Sequence, residues 1–447
     1  MKKLTPIFTL LFAVAAAGSA SAQDLITVRQ AVDITLKNNL QVKRSKLSEE
    51  LANEDFKQSK LALYPSLSAS ADQRMGWGRN NLGQSGIYEN TQNYNFSPGA
   101  GASVDLFNGF SKLNQIRQNK ILLEVGKANT DKVRNDLILQ VITSYMQILY
   151  NKDFLVAAKQ QLAVAQQQQK QQQELLDVGN KTLADLAESK SQVATAELDV
   201  TTAENALTIS YITLAQLMDI PSATQYNVQA PDVSSFSTAA AQYDPENVYK
   251  EAVNIYPDIK LAALQTAVAE KTIEIAKGNL YPRVSLSGSY GSYYNYNYNL
   301  TSGFRNAAFW DQIKNNVSKG VGMSLSIPIF NGLQARTGVK KARINLEQIK
   351  TDEQLTKNNL NKIIYQAVAD LKAAQSTFES TSKTFAARKE SFGVIEQRYN
   401  VGLVNSLDYN TSLTNKNRAE IDMIRSKYDL LFRAKLIDYY LGKQIDF

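Results

Sequence analysis

The chain of 447 residues carries 49 Lys and Arg against 42 Asp and Glu, with no histidine and no cysteine. Without cysteine there can be no disulfide, thiolate metal site or cysteine nucleophile, and without histidine the commonest general base is missing, so enzyme readings start low. The formal charge of +7 is scattered among acids along helical stretches, which reads as solvated helix faces and not as the basic stripe of a nucleic-acid binder.

Lys2 and Lys3, an apolar run from Ile7 to Ala17 and the small residues Ala20-Ser21-Ala22 make a secretory signal over residues 1–22. No cysteine follows the apolar run, so the mature chain is expected to start at Gln23 without a lipid anchor. Beyond it no stretch approaches the roughly 18–20 apolar residues of a membrane-spanning helix. If the mature chain crosses a membrane, it must do so as a closed β-barrel, because only helices and barrels satisfy every backbone group in lipid.

The rest reads as one unit written twice. Gly402 in Val401-Gly402 lies 223 residues after Gly179 in Val178-Gly179, and Phe330-Asn331-Gly332 lies 223 after Phe107-Asn108-Gly109. A period this long is outside the roughly 20–50 residues of solenoids and propellers, so two whole halves stand side by side. The expected organisation is a first repeat over 23–220, a linking segment over 221–244 with no secondary structure assigned, and a second repeat over 245–447.

Each half opens on a helix, Val28 to Leu63 and Glu246 to Leu280, which stops at Tyr64-Pro65 and Tyr281-Pro282 because proline removes a donor and restricts the residue before it. Strands are then expected at about 64–78 and 93–107 in the first half, and at about 282–299 and 318–330 in the second. Val284, Leu286, Tyr290, Tyr294, Tyr296 and Tyr298 alternate with Ser285, Ser287, Ser289, Asn295 and Asn297, the period of a strand with one apolar face. Polar, Gly- and Asn-rich loops separate the strands of each pair.

These runs suit transmembrane strands, apolar outward and polar toward a lumen. The alternative is an antiparallel sheet on a soluble core. Four strands cannot close a barrel when the smallest have about eight. Three copies sharing one twelve-stranded barrel is the economical solution.

A helix of about 68 residues follows from Phe110 to Asp177, roughly 100 Å long. Its seam Leu137, Val141, Ser144, Ile148, Asn151, Leu155, Ala158 and Leu162 steps by four and three, and Leu360, Ile364, Ala367, Leu371, Ala374 and Phe378 repeat the step. The returning helix shows Leu186, Val193, Val200, Leu207 and Leu214 every seventh residue. Such seams predict antiparallel coiled-coil hairpins. Gln166 to Gln173 is expected on a solvent- or lumen-facing side.

With the paired Tyr-Pro junctions, Leu106-Phe107-Asn108-Gly109-Phe110, Ile329-Phe330-Asn331-Gly332-Leu333 and Arg398-Tyr399-Asn400-Val401-Gly402-Leu403-Val404-Asn405-Ser406-Leu407-Asp408 in view, the mature chain resembles the TolC-like outer membrane efflux proteins. The resemblance implies an α+β membrane protein: a homotrimer whose twelve-stranded barrel sits in the lipid of a Gram-negative outer membrane, continuous with a helical tunnel in the periplasm. It implies a passive duct, without cofactor or metal, opened by untwisting of the tip helices. A periplasmic adaptor protein docks on it and links it to an inner-membrane RND or ABC transporter.

Residue by residue, Val401, Gly402 and Leu403 match the tip that meets the adaptor. Val178 and Gly179 match in the first half, where Asn180 replaces the leucine, so the two tips are expected to be unequal. Asp408 matches a position where one aspartate per protomer rings the constriction; a second ring would need an acid where Thr411 stands. Three such carboxylates repel one another and draw cations between them. Read without the resemblance, Asp408 is an acid early in a helix and the two glycines are left-handed helix ends. Nothing in the motif says whether Asp185, the repeat partner of Asp408, faces the lumen. A secreted coiled-coil filament or adhesion protein would use the heptads and leave the duplicated strand pairs unexplained. An outer-membrane enzyme lacks a recognisable nucleophile, phosphate or dinucleotide motif.

Overall fold

The computed structural model describes residues 24–81, 88–221, 226–230, 243–298 and 305–443. The expected signal peptide and most of the linking segment lie outside them. In chain order the elements are β1 (Asp24–Ile26), α1 (Val28–Asn38), α2 (Leu40–Leu61), β2 (Ser66–Asn81), β3 (Tyr88–Asn108), α3 (Ser111–Asp177), α4 (Leu183–Met218) and β4 (Tyr226–Val228). There follow α5 (Pro245–Ile255), α6 (Pro257–Gly278), β5 (Arg283–Gly291), β6 (Tyr294–Asn297), α7 (Phe309–Asn315), β7 (Ser318–Ser326), α8 (Gln334–Asn400) and α9 (Ser406–Tyr440). No described helix is long and apolar enough to cross a membrane. The chain divides into two compact units, one of residues 47–128 and 261–355, the other of 1–46, 129–260 and 356–447.

The first of these units holds an antiparallel sheet in the order β2-β3-β5-β7, with β6 also paired to β3. β5 and β6 keep one register along β3, Gly99 opposite Gly291 and Phe96 opposite Tyr294. They form a single column, broken where Pro98 accepts the Ser292 N–H at 2.9 Å and has no N–H to return. This corrects the unbroken strand expected over 282–299. β7 likewise ends at Ser326, before the expected residue 330. β5 begins at Arg283, the partner of Ser326, so residues 327–330 find no strand beside them, and Pro328 could not donate to one. β2 and β3 run longer than expected, and the loop before β7 contains the unforeseen α7.

The faces of the sheet differ as the alternation demands. Val321, Met323, Leu325 and Leu67 are 84%, 72%, 61% and 80% exposed on one face. On the other, the hydroxyls of Ser285 and Ser324 meet at 2.8 Å and those of Ser66 and Ser103 at 3.0 Å. Each strand pair leaves through a left-handed dipeptide, Gly109-Phe110 (φ 63° and 63°) and Gly332-Leu333 (φ 61° and 62°). At Gly109 the backbone also passes so close to Gly278 that a Cβ would collide with its carbonyl oxygen.

The second unit is built from helices and the two shortest strands. Neither opening helix is continuous as expected. Asn39 separates α1 from α2, its side chain donating to the Leu217 carbonyl at 2.9 Å and accepting from Gln41 N–H at 2.8 Å. Tyr256, extended before Pro257, separates α5 from α6. β4 pairs in parallel with β1, Asp24 to Tyr226 and Ile26 to Val228. Buried Tyr145 donates between them, to the carbonyls of Ile26 (2.9 Å) and Gln229 (2.8 Å).

The long helices bury the expected seam. Leu137, Val141, Ile148, Asn151 and Ala158 of α3 are buried, as are Leu360, Ile364, Ala367, Leu371 and Ala374 of α8. On α4 the small seam residues Ser189 and Ser210 are buried too, each hydroxyl donating to a carbonyl of its own helix, Leu186 and Leu207. The glutamine tract departs from expectation in part: Gln166, Gln167 and Gln173 are exposed, while Gln168 and Gln172 face inward, 9% and 2% exposed.

Candidate functional site at the two interhelical turns

The turn between α3 and α4 and the turn between α8 and α9 both lie in the helical unit. Gly179 (φ 77°) donates to the Leu176 carbonyl and Asn180 to that of Leu175, at 2.9 and 2.8 Å. Gly402 (φ 78°) donates to Tyr399 and Leu403 to Arg398, at 3.0 and 2.9 Å. Both are the Schellman ending of a helix, which uses the left-handed region that glycine enters without a Cβ penalty. Val178, Val401 and Leu403 are exposed at the turns, 68%, 70% and 69%.

The returning helices start on different caps. Thr182 and Asp185 form a capping box on α4. On α9 the cap is Asn405, whose side chain accepts the Asp408 N–H at 2.8 Å. Asp408 therefore occupies the early-helix position, its carboxylate exposed and, among the described residues, without an ion pair.

Asp185 is engaged inside the chain. It accepts from Thr182 Oγ1 at 2.8 Å and from Ser406 Oγ at 3.0 Å. The Thr182 hydroxyl and backbone hold its carboxyl below the ordinary range, with help from Ser406 and the Lys181 charge. Around this contact, Lys181 Nζ donates to Ser406 Oγ at 3.4 Å and stands 5.1 Å from the centre of the Tyr399 ring. Tyr399 Oη lies 3.3 Å from Ser406 Oγ and accepts from Gln172 Nε2 at 2.6 Å. Gln172 Oε1 is left buried without a partner. The two turns are thus tied by polar side chains from both hairpins.

Beneath the second turn Phe392, Tyr399 and Tyr409 form a buried cluster with Ile395, Val404 and Leu413 packed on it. The Tyr399 and Tyr409 ring centres are 4.6 Å apart. Burial pushes the Tyr409 phenol up, which keeps it neutral. Sequence reasoning singled out Asp408 and the turn residues, and missed Gln172, Lys181, Tyr399, Ser406 and Tyr409 as contact-makers. The one available signal was tyrosine on both sides of the turn, at 399 and 409, spaced to meet across a hairpin.

The model of the family described as "Outer membrane efflux protein" matches residues 31–219 and again 248–442. Outer membrane protein TolC of Escherichia coli (strain K12) is 24% identical over 99% of this chain and 87% of that protein. Outer membrane efflux protein BepC of Brucella suis biovar 1 (strain 1330) is 20% identical over 96% of this chain and 88% of that protein. Among solved structures, the Campylobacter jejuni CmeC outer membrane channel superposes with a TM-score of 0.77 at 17% identity, covering 93% of this chain and 85% of that one. At that identity the likeness shows the fold: long helices with a minor share of sheet.

Proposed function

The chain belongs to the outer membrane efflux protein family, and from that premise we propose that it is the passive outer-membrane duct of a tripartite export assembly. It works in the outer membrane of a Gram-negative bacterium, as a channel and not as an enzyme. A periplasmic adaptor docks on its helical turns and joins it to an inner-membrane RND or ABC transporter. The related proteins include a "Toxin and drug export protein A" and a "Pyoverdine export outer membrane protein OpmQ", which supports export as the task.

The observation that carries the duct reading is the sheet. It exposes an apolar face, keeps a serine-lined face opposite, and ends on two edges, β2 and β7, with no further partner among the described residues. Such edges must be paired or covered. Three copies joining β7 of one to β2 of the next make four columns each into a twelve-stranded cylinder, apolar toward lipid and serine-lined within. The double match to one family model, 31–219 and 248–442, supports a duplicated unit, with the linking segment of residues 221–244 between its halves.

In the helical unit the turns are the docking points, Val401, Gly402 and Leu403 in the second and Val178 and Gly179 in the first. Asp408 is the gate residue: its carboxylate has no partner among the described residues, so three can converge on a threefold axis and hold cations there. Asp185 is committed to Thr182 and Ser406 and serves to hold the hairpins together. For the gate to widen, the contacts among Asp185, Ser406, Tyr399 and Gln172 must break. The test is extraction and size: the mature protein should require detergent and run as a trimer that forms channels in planar bilayers. A water-soluble monomer would overturn the reading.

A further inference from the structure

The apolar face of the sheet carries, among the described residues, two cations that closing a barrel does not require: Arg79 of β2, over the Tyr88 ring, and Lys319 of β7. Along β7 the face runs Leu325, Met323, Val321 and then Lys319, opposite Val284, Leu286, Gly288 and Tyr290 of β5. Lys319 Nζ stands 5.7 Å from the centre of the Tyr290 ring, and among the described residues no carboxylate pairs with it. A lysine on a lipid-facing strand is strongly disfavoured at mid-bilayer and close to neutral at the interface. β7 itself is nine residues, Ser318–Ser326, with Lys319 next to its loop end, and so spans about the 9–11 tilted residues that cross an apolar band. Lys319 therefore stands at headgroup depth, at the loop end of β7. Tyr290 and Trp310, 55% and 68% exposed, are of the residue types that favour that depth.

Beside Lys319 is a shallow, open depression of about 410 Å³ over Ala100, Ala102 and Gly288, edged by Leu67, Tyr290 and Val321. An apolar depression ending at an unpaired ammonium complements an acyl chain ending at a phosphate. The loop end of β7 lies opposite the strand ends that lead into helices, so it belongs to the outer leaflet if those helices are periplasmic. Resting on the barrel reading above, we propose that Lys319 and this depression bind a phosphorylated glycolipid of the outer leaflet, phosphate on Nζ and one acyl chain along the depression.

The test uses purified trimers in phosphatidylcholine nanodiscs, titrated with diphosphoryl lipid A or with phosphatidylglycerol and read by native mass spectrometry. Wild type should retain lipid A in preference to phosphatidylglycerol. Lys319→Ala should lower that retention by about five-fold, the worth of one lysine near an anionic surface, and Lys319→Arg should keep it. Ala102→Trp, filling the depression with the charge intact, should lower it as well. Equal retention by wild type and Lys319→Ala overturns the site, and equal retention of the two lipids by wild type overturns the choice of glycolipid. Failure to form detergent-dependent trimers would refute the barrel before any lipid is added.

Discussion

Val178-Gly179 and Val401-Gly402 end their helices with the same two backbone hydrogen bonds and the same left-handed glycine, yet the residues packed behind them differ. The second turn stands on Phe392, Tyr399 and Tyr409. The positions 223 residues earlier are Gln169, Leu176 and Leu186, and of these Leu186 alone is buried, at 6% exposure. Backbone geometry has been held while packing diverged, so two hairpins of one length can have unequal stiffness. The aromatic cluster makes the second turn a firm body, and the first leans on it through Gln172, Lys181 and Asp185.

The sharpest way to break that contrast is to empty the cluster. Tyr409→Ala should cost about 3–5 kcal/mol, as other buried aromatic truncations do, and raise hydrogen exchange across residues 392–413. Leu186→Ala should cost less, about 2–3 kcal/mol, and leave the second turn protected. Equal losses would mean that the two turns are packed alike after all.

Gly402→Glu should reduce export at least about thirty-fold, the size of a lost interface hot spot, with trimers intact on gels. Gly179→Glu should do less, because Asn180 has replaced the leucine of that tip. Loss of trimers in Gly402→Glu would make the glycine purely structural. Asp408→Ala should weaken divalent-cation block in planar bilayers by about a hundredfold, taking roughly 1 kcal/mol for each of the three charges the ring loses, whereas Asp185→Ala should leave block unchanged. Unchanged block in the Asp408 variant would remove it from the gate.

Tyr399→Phe takes the hydroxyl from Gln172 and Ser406, at a cost of about 1–3 kcal/mol because Gln172 is then left buried and unpaired. It should raise the resting conductance of closed trimers. The smallest effect is that of pH. Because Thr182, Ser406 and Lys181 hold the Asp185 carboxyl below its usual value, its contribution to the tie is complete above the ordinary carboxylate pKa. That contribution is lost only as pH falls through the depressed one. The difference in hydrogen exchange between wild type and Asp185→Asn over residues 399–408 should therefore be constant near neutrality and shrink in strong acid.

Much of the architecture was readable from the chain because its signals are local. Glycine after valine marked both helix ends, Tyr-Pro marked both handovers to strand, and four-three spacing picked out residues that are in fact buried. The turn network was not readable, since Gln172 and Tyr399, or Asp185 and Ser406, meet across more than 220 residues and each looks like an ordinary helix-surface residue. The three-residue strands β1 and β4 are too short to show a period. Pro98 could have been used: a proline inside an alternating run signals a break in the ladder beside it, and the run over 282–299 is broken there. The gate role proposed for Asp408 rests on resemblance alone, and among the described residues its carboxylate has no partner.

The pairing of β1 with β4 has a consequence for biogenesis. The strand at Asp24–Ile26 emerges among the earliest structured parts of the nascent chain, and its strand partner, Tyr226–Val228, is synthesised some two hundred residues later. A contact so distant in sequence is slow to close, and Tyr145, which donates to both flanks of the pair, cannot be sealed before it forms. The leading strand therefore stays without this partner until an entire half has been made.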